Sequence, residues 1–411
     1  MEGGNGNRGS SFSQSRHSRG RGRGRGRGHR FRSNQSKVSS FDERVTSSSS
    51  GSRASTSVLG DKQEEDAQPS SNFVGTCPYM CPGEILERTQ RENMRDLAVF
   101  ERLNGNPRKS SPALAIKKFC RTISTKYVQA SDLRPIAVLE NTLNYLLSLL
   151  ESKEHSFEEV HDFIFDRTRS IRQDITMQNI VDNKAIYMYE GMVKFHVVSH
   201  YKLWCSISDP NTASMHHLNL EQLTKTLTSL FNLYEANRNS NYVHENEAEF
   251  HSLYVLLHLG SYSQPMGEPL SLWFRRVSTP VLKSKEMCFA RRILRSSQLG
   301  NYKDFFRTAA AQASYLQFCI MMPFINEVRA LALSCINFGG YKLHPYPLLD
   351  LSKYLMIKES DLESFCHSCG LEICTDESGN KLLPTKQTTF RHPKGEFQSY
   401  SFVGLQEYEK L

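Results

Sequence analysis

Two groups of residues have the types that metal or acid–base chemistry requires. Cys77 and Cys81 stand with three residues between them in the run Gly75-Thr76-Cys77-Pro78-Tyr79-Met80-Cys81-Pro82, and Cys366, His367, Cys369 and Cys374 form a second cluster near the other end. Between them they offer the four thiolate or imidazole donors that a tetrahedral zinc site takes. Almost the whole chain separates the two clusters, however, and Cys366 to Cys369 falls on a predicted helix with apolar neighbours. A lone pair of this spacing without a matching partner pair reads as buried thiol, so no metal or cofactor is expected. The second group is Asp166-Arg167-Thr168-Arg169-Ser170-Ile171-Arg172-Gln173-Asp174. Val160, Ile164, Ile171 and Ile175 mark one face of a helix and leave the charges on the others. Asp166 and Asp174 could be paired as acid and base, but no His, Lys or metal ligand at useful spacing accompanies them. Ion pairing with packed neighbours is the expectation for Asp166, Arg167, Arg169, Arg172 and Asp174. No Walker loop, GxGxxG, GxSxG or HExxH occurs, so no catalytic site is expected.

A third set is suited to phosphates. From Arg16 to Arg32 eight arginines alternate with Gly, Ser and His, among them Arg19, Arg21, Arg23, Arg25, Arg27 and Arg30. Glycine leaves such a segment free to bend, and its apolar content is too low to bury anything, so it is expected to be disordered. Guanidinium groups fork onto phosphates and stack on exposed bases, which fits single-stranded nucleic acid; a solubilising or import-related tail is the plainer alternative. At ~5–6 Å × √n, a tail of about 70 residues samples ~45 Å. Further along, Arg291 and Arg295 lie one helical turn apart, and Lys381, Lys386, Arg391 and Lys394 recur near the end. Either these make a phosphate-facing patch or they belong to ordinary solvated faces.

The elements that must position these residues are helices. Pro135 suits a helix start, followed by Leu139, Leu143, Leu146 and Leu150. Leu220, Leu223, Leu227, Leu230 and Tyr234 step by 3 and 4, and Phe250, Tyr254 and Leu257 continue that spacing up to Gly260. Phe324, Val328, Leu331, Cys335 and Phe338 predict another helix, bounded by Pro323 and Gly339-Gly340. Glu84 to Leu103 reads as one charged helix broken at Asn104-Gly105-Asn106-Pro107, and no period-2 run stands out between Glu84 and Phe338. About ten helices in series predict a stack of helix pairs with an extended flank for partners. The last 70 residues differ. Leu348 to Ile357 and a helix opened by Ser360 in capping-box order, ended by Gly370, precede predicted strands at Leu371–Cys374, Lys381–Phe390 and Phe397–Val403, with a turn at Gly379-Asn380. Two helices followed by strand, turn and strand is the order of a winged helix.

Composition places the chain. Net charge is +8, and residues 1–70, with 13 Lys/Arg against 7 Asp/Glu, carry +6 of it. Residues 71–411 are nearly neutral, so gross attraction to polyanions is expected to begin in the tail. The ten cysteines follow no apolar leader, and Cys205, Cys288, Cys319 and Cys335 lie in helical patterns as small apolar side chains. No run reaches the ~18–20 apolar residues of a membrane span. A reducing compartment, cytosol or nucleus, is expected.

Phe73-Val74-Gly75-Thr76-Cys77 through Met80-Cys81-Pro82, with Glu87-Arg88 and Arg95-Asp96-Leu97, resembles the opening signature of the GANP (germinal-centre-associated nuclear protein) family. Tyr79 and Gly83 depart from it, standing where Asp and Glu are common. The run Phe165 to Asp174 resembles the family's most specific block, and Phe305-Phe306 with Ile325 to Leu331 a third. The resemblance extends from about Phe73 to Leu371. It implies a non-enzymatic scaffold of the nuclear, transcription-coupled mRNA-export (TREX-type) complex. It further implies an all-α helical-repeat body of PCI/TPR-like type closed by a winged helix. The expected organisation is a disordered Arg-Gly/Ser-rich tail over 1–70, a signature segment and first helix over 71–110, the repeat scaffold over 111–338, and the winged-helix module over 339–411. The partners it implies are a PCI-domain subunit with its small acidic stabilising peptide, and RNA; no membrane is expected. Neither a long C-terminal centrin-binding helix nor an acetyltransferase segment is read, so a core-only member is expected and pore anchoring is left open. The alternative is a scaffold of a centrosome, spindle or proteasome-lid-like assembly with incidental RNA contact.

Overall fold

Helix begins where the chain first combines a fixed φ with an uninterrupted apolar stripe. Pro135 stands as the N-cap of α1 (Ile136–Ser148), which buries Leu139, Leu143 and Leu146. Ser156 and Asp182, each accepting a hydrogen bond from a first-turn backbone N–H, open α2 (Phe157–Met177) and α3 (Asn183–Cys205). The series continues with α4 (Pro210–Ala236), α5 (Glu247–Leu256), α6 (Leu270–Arg276), α7 (Thr279–Leu282), α8 (Lys285–Gln298), α9 (Tyr302–Gln312) and α10 (Tyr315–Gly339). The computed structural model describes residues 74–82, 91–94, 96–122, 128–207, 210–238, 244–260 and 268–392. All the described residues fall in one compact unit.

Several helices pack on their sequence neighbours, but α5 and α8 pack chiefly on each other, and α10 reaches back to α3 and α5. The long pair α3 and α4 lies together, and α3 also meets α1, α2 and α10. Helix α5 packs on α4, α8 and α10, and α9 on α8 and α10. The expected stripe of α4 holds, with Leu223, Leu227, Leu230 and Tyr234 buried. That of α10 does not. Phe338 and Cys335 are exposed, and the buried face runs through Ile325, Val328, Arg329, Ala332, Leu333 and Ile336. Pro323 also lies inside this helix instead of bounding it. Proline has no N–H to give its own turn, and packing on α3, α5 and α9 holds the helix through it. Helix α10 is long and apolar enough to cross a membrane, but 67% of its most apolar window is buried in the protein. Its buried Gln317 and Arg329 find hydrogen-bond partners there, as a core helix requires.

The segment before α1 departs from expectation. Residues 91–94 are helical, but the chain then runs through separate 3-10 turns at Val99–Glu101 and Leu103–Gly105, so no single helix covers 84–103. After α10 come β1 (Tyr346–Pro347), α11 (Leu348–Leu355), α12 (Glu359–Ser368), β2 (Cys374–Thr375) and β3 (Lys381–Leu383). The strands form a small antiparallel sheet in the order β1-β3-β2, with Tyr346 opposite Leu383 and Cys374 opposite Leu382. Helix α12 starts at Glu359, with Lys358 as its N-cap and no side-chain cap, so Ser360 sits within the first turn instead of opening it. Gly370 ends it at φ +72, where an added Cβ would meet the Thr389 carbonyl oxygen at 2.4 Å. The core is continuous across position 338. Leu348, Leu351, Leu355, Leu362, Phe365 and Leu383 share one cluster with α10 and α9. The expected strand over Phe397–Val403 lies outside the described residues.

Candidate functional site

The charge run on α2 is the hub of the described structure. Asp174 is fully buried and accepts from Lys117 Nζ at 2.6 Å and Arg134 Nε at 2.7 Å. The Arg134 guanidinium also donates to Ser170 Oγ (3.1 Å) and the Met80 carbonyl (3.2 Å). Two turns before Asp174, Arg167 donates to Glu101 at 2.9 Å and to its neighbour Asp166 at 2.6 Å. Glu101, also fully buried, accepts further from Arg91 (2.6 Å) and the Ile116 N–H (2.9 Å). Arg169 lies 3.8 Å over the Phe119 ring, a stacked cation contact. Arg172 turns the other way, toward α4, where it donates to Gln222 Oε1 at 2.5 Å. Burial pushes its guanidinium down to about 10, which still leaves it charged at neutral pH. Every member of the run is thus engaged by a neighbouring element. Glu101, Lys117 and Arg134 were not legible as its partners.

The opening block is threaded through this hub. Lys117 N–H donates to the Met80 carbonyl, Thr76 N–H to Ala130 and Cys77 N–H to Leu133, so residues 76–77 run beside 130–133. At Gly75 a Cβ would lie 2.5 Å from the Leu133 carbonyl oxygen, and its N–H donates to Gln178 Oε1 at the end of α2. Only glycine admits that approach. Cys77 and Cys81 are buried here, with Arg91 Nη2 donating to Cys81 Sγ at 3.4 Å. Cys366 and Cys369 are buried under the C-terminal lobe, where burial raises their thiols to about 12 and 11. Among the described residues no three His, Cys, Asp or Glu side chains come together as metal ligands would. Cys319 is buried as expected, whereas Cys205, Cys288 and Cys335 are exposed.

The profile of the SAC3/GANP family matches residues 80–375, which takes in the hub, α1 to α12 and β1. The chain belongs to that family. It is 34% identical over 315 residues to SAC3 family protein B of Arabidopsis thaliana, covering 75% of this chain and 18% of that protein. SAC3 family protein 1 of Schizosaccharomyces pombe is 29% identical over 342 residues, 79% of this chain and 33% of its own length. Protein xmas of Drosophila melanogaster is 27% identical over 339 residues, 78% and 16%. The chain therefore spans a third or less of the length of these relatives.

Within this SAC3/GANP chain the described basic residues expected to meet phosphates lie on α8, on β3 and in the chain that follows β3. Arg291 and Arg295 are exposed on α8, with Arg291 5.9 Å from the Phe274 ring. Lys381 on β3 pairs with Glu363 at 2.5 Å, which ties the sheet to α12. Lys386, at φ +65, gives its ammonium to the Phe338 carbonyl, and its N–H donates to Asn337 O at 2.8 Å. Both lysines therefore serve the lobe's architecture. Arg391 is exposed, with its backbone N–H on Cys369 O. Lys394 and the tail arginines Arg19, Arg21, Arg23, Arg25, Arg27 and Arg30 lie outside the described residues. A further cation carries no signal in the sequence at all. Arg329 is fully buried in α10 and donates to Asn326 Oδ1 (2.9 Å) and to the carbonyls of Leu355 (3.1 Å) and Met356 (2.8 Å). It thereby caps the C-terminal end of α11.

Proposed function

We propose that this chain is the core of a non-enzymatic scaffold subunit of a nuclear, transcription-coupled mRNA-export complex. In this reading α1 to α10 act as a PCI/TPR-like helical repeat over 111–338, and 339–411 acts as a winged helix. The scaffold binds a PCI-type subunit, itself stabilised by a small acidic peptide, and RNA. What carries the reading, in a chain of this family, is an apolar strip where α10 runs into α11. Tyr341 is 80% and Leu343 88% exposed, and Phe338 and Leu349, which flank them in sequence, are each more than half exposed. Large apolar side chains left exposed in one short stretch of chain are what a protein interaction surface offers. The core continuous from α9 and α10 into α11 presents that strip on a rigid base.

Affinity purification of the full chain from nuclear extract tests it. A PCI-domain subunit and RNA are expected, with the subunit lost from a Tyr341→Ser, Leu343→Ser variant whose far-UV spectrum is unchanged. Recovery of neither subunit nor RNA, or co-sedimentation with centrosomes or the proteasome lid instead, overturns the reading.

A further inference from the structure

Where α9 meets α11 there is a cleft of about 500 Å³ whose wall includes Lys303, Asp304, Arg307, Lys353 and Tyr354. Its size falls in the ~300–1,000 Å³ range of small-ligand sites. Three features give it a character. Tyr354 presents a ring 47% exposed, with the Lys303 ammonium 5.1 Å from its centroid. Arg307 and Lys353 extend mostly into solvent around it. The carboxylate in the cleft, Asp304, is already committed to Arg292 Nη2 (2.6 Å), Arg307 Nη2 (2.7 Å) and Ser296 Oγ (2.9 Å), and these partners hold it well below the usual carboxylate range. Counting Asp350, 3.8 Å from Lys353, four cations stand against two carboxylates. The local field is positive although the body is close to neutral.

The floor is rigid. Phe306 is buried beneath, and Met356 holds a left-handed conformation (φ 50) with its carbonyl fixed by Arg329. An acidic peptide would satisfy the cations but has no use for an exposed aromatic face. A nucleobase stacks on such a face while flanking phosphates meet the cations. We propose that this cleft holds one step of single-stranded RNA, with a base on Tyr354 and its neighbouring phosphates on Lys303, Arg307 and Lys353. The proposal rests on the RNA-binding reading above and gives it a place.

The test is fluorescence anisotropy of the full chain with a labelled oligouridylate across a salt series. Tyr354→Ala weakens binding roughly ten-fold at unchanged salt slope, and Tyr354→Trp restores it. Lys303→Gln with Lys353→Gln lowers the salt slope by roughly 0.7 for each phosphate no longer neutralised. All these positions are exposed, and matching thermal midpoints exclude misfolding. With 4-thiouridine in the strand, photocrosslinks fall within 302–312 and 348–357. Binding undiminished by the triple change Lys303→Gln, Lys353→Gln, Tyr354→Ala overturns the cleft and leaves RNA binding standing. Polyglutamate competing as well as unlabelled RNA also overturns it. No binding by the unmodified chain overturns the RNA reading and this inference together.

Discussion

Replacing Asp174 by Asn keeps the volume and removes the charge, so no cavity forms and only electrostatics changes. Lys117 and Arg134, both buried and both paired to this carboxylate at 2.6 and 2.7 Å, are left without their anion. Removing one partner of a buried pair costs ~3–5 kcal/mol, against a typical total stability of ~5–15 kcal/mol. The loss falls first on the segments that Asp174 holds, residues 74–82, 111–122 and 128–134. Their other ties include backbone bonds between 76–77 and 130–133, the Gly75–Gln178 bond, the Ser170 hydroxyl donating to Lys117 O, the Phe119 N–H on Asp166, and the buried side chains of Cys77, Ala115, Ile116 and Leu133. At about 1.36 kcal/mol per decade, amide exchange in these stretches accelerates by roughly two to nearly four orders of magnitude. The α3–α4 pair, which does not depend on Asp174, keeps its protection. Hydrogen-exchange mass spectrometry reads both regions in one experiment. A companion variant, Lys117→Met, Arg134→Leu and Asp174→Leu together, separates desolvation from packing. An apolar triad of similar volume often matches or exceeds a buried ionic one, so this variant regains most of the loss. Asp174→Asn with exchange in 111–122 and 128–134 within a factor of about three of the unmodified chain would refute the argument that ions hold these segments.

Three further outcomes follow from buried groups. Burial holds His196 near pKa 3 and His251 near 4, below the ~6.5 of an unfolded chain, so the unfolded state takes up more protons below pH 6.5. Stability is therefore full above pH 6.5 and falls as pH drops toward 4, by ~3 kcal/mol for the two at pH 5.5; denaturant midpoints that stay flat from pH 7.5 to 5.5 would contradict this. Arg329→Met strips the Leu355 and Met356 carbonyls of their donors, at ~1–3 kcal/mol each. It should make residues 339–392 the first site of limited proteolysis, and an unchanged cleavage pattern would count against it. Cys366, its thiol raised to about 12, should resist iodoacetamide at pH 8 while exposed Cys288 and Cys335 are alkylated, and equal labelling would show the lobe to be open.

The sequence was most readable where structure is local. The start of α1 at Pro135 and the stripe of α4 are set within a few turns by φ restriction and apolar spacing, and both are observed. Helix α10 was misread because it is apolar almost all round. Five positions at steps of 3 and 4 fit either face, and the face chosen was the more exposed one. Its Pro323 looked like a boundary only because propensity ignores the neighbours that hold the helix through it. Residues 84–103 carried enough apolar positions to suggest one helix. Leu97 and Glu101 are spaced as one helical face would space them, yet Leu97 lies in non-helical chain, and Glu101 ends a 3-10 turn with its carboxylate on Arg91, Arg167 and the Ile116 N–H. Ion pairing was expected for the run on α2, but its partners stand 40 residues away at Arg134, 57 at Lys117 and 66 at Glu101. No spacing rule reaches that far. Arg329 shows the same limit, since nothing in a helical pattern marks one arginine as buried.

The geometry of the hub also bears on whether its carboxylates could act as acid or base. Proton transfer needs a group that can change its charge and meet a substrate, and therefore needs solvent or a cleft at hand. Asp174 has neither. One oxygen is taken by Lys117, and the other faces both the guanidinium and the backbone N–H of Arg134. Glu101 likewise has Arg91 and Ile116 on one oxygen and Arg167 on the other. Directional charge-assisted bonds of this kind fix register in a way apolar contact does not. The bonds that hold the described part of this segment against α2 are those that occupy both oxygens of each carboxylate. Holding the segment in register and staying chemically inert are, for this block, one arrangement.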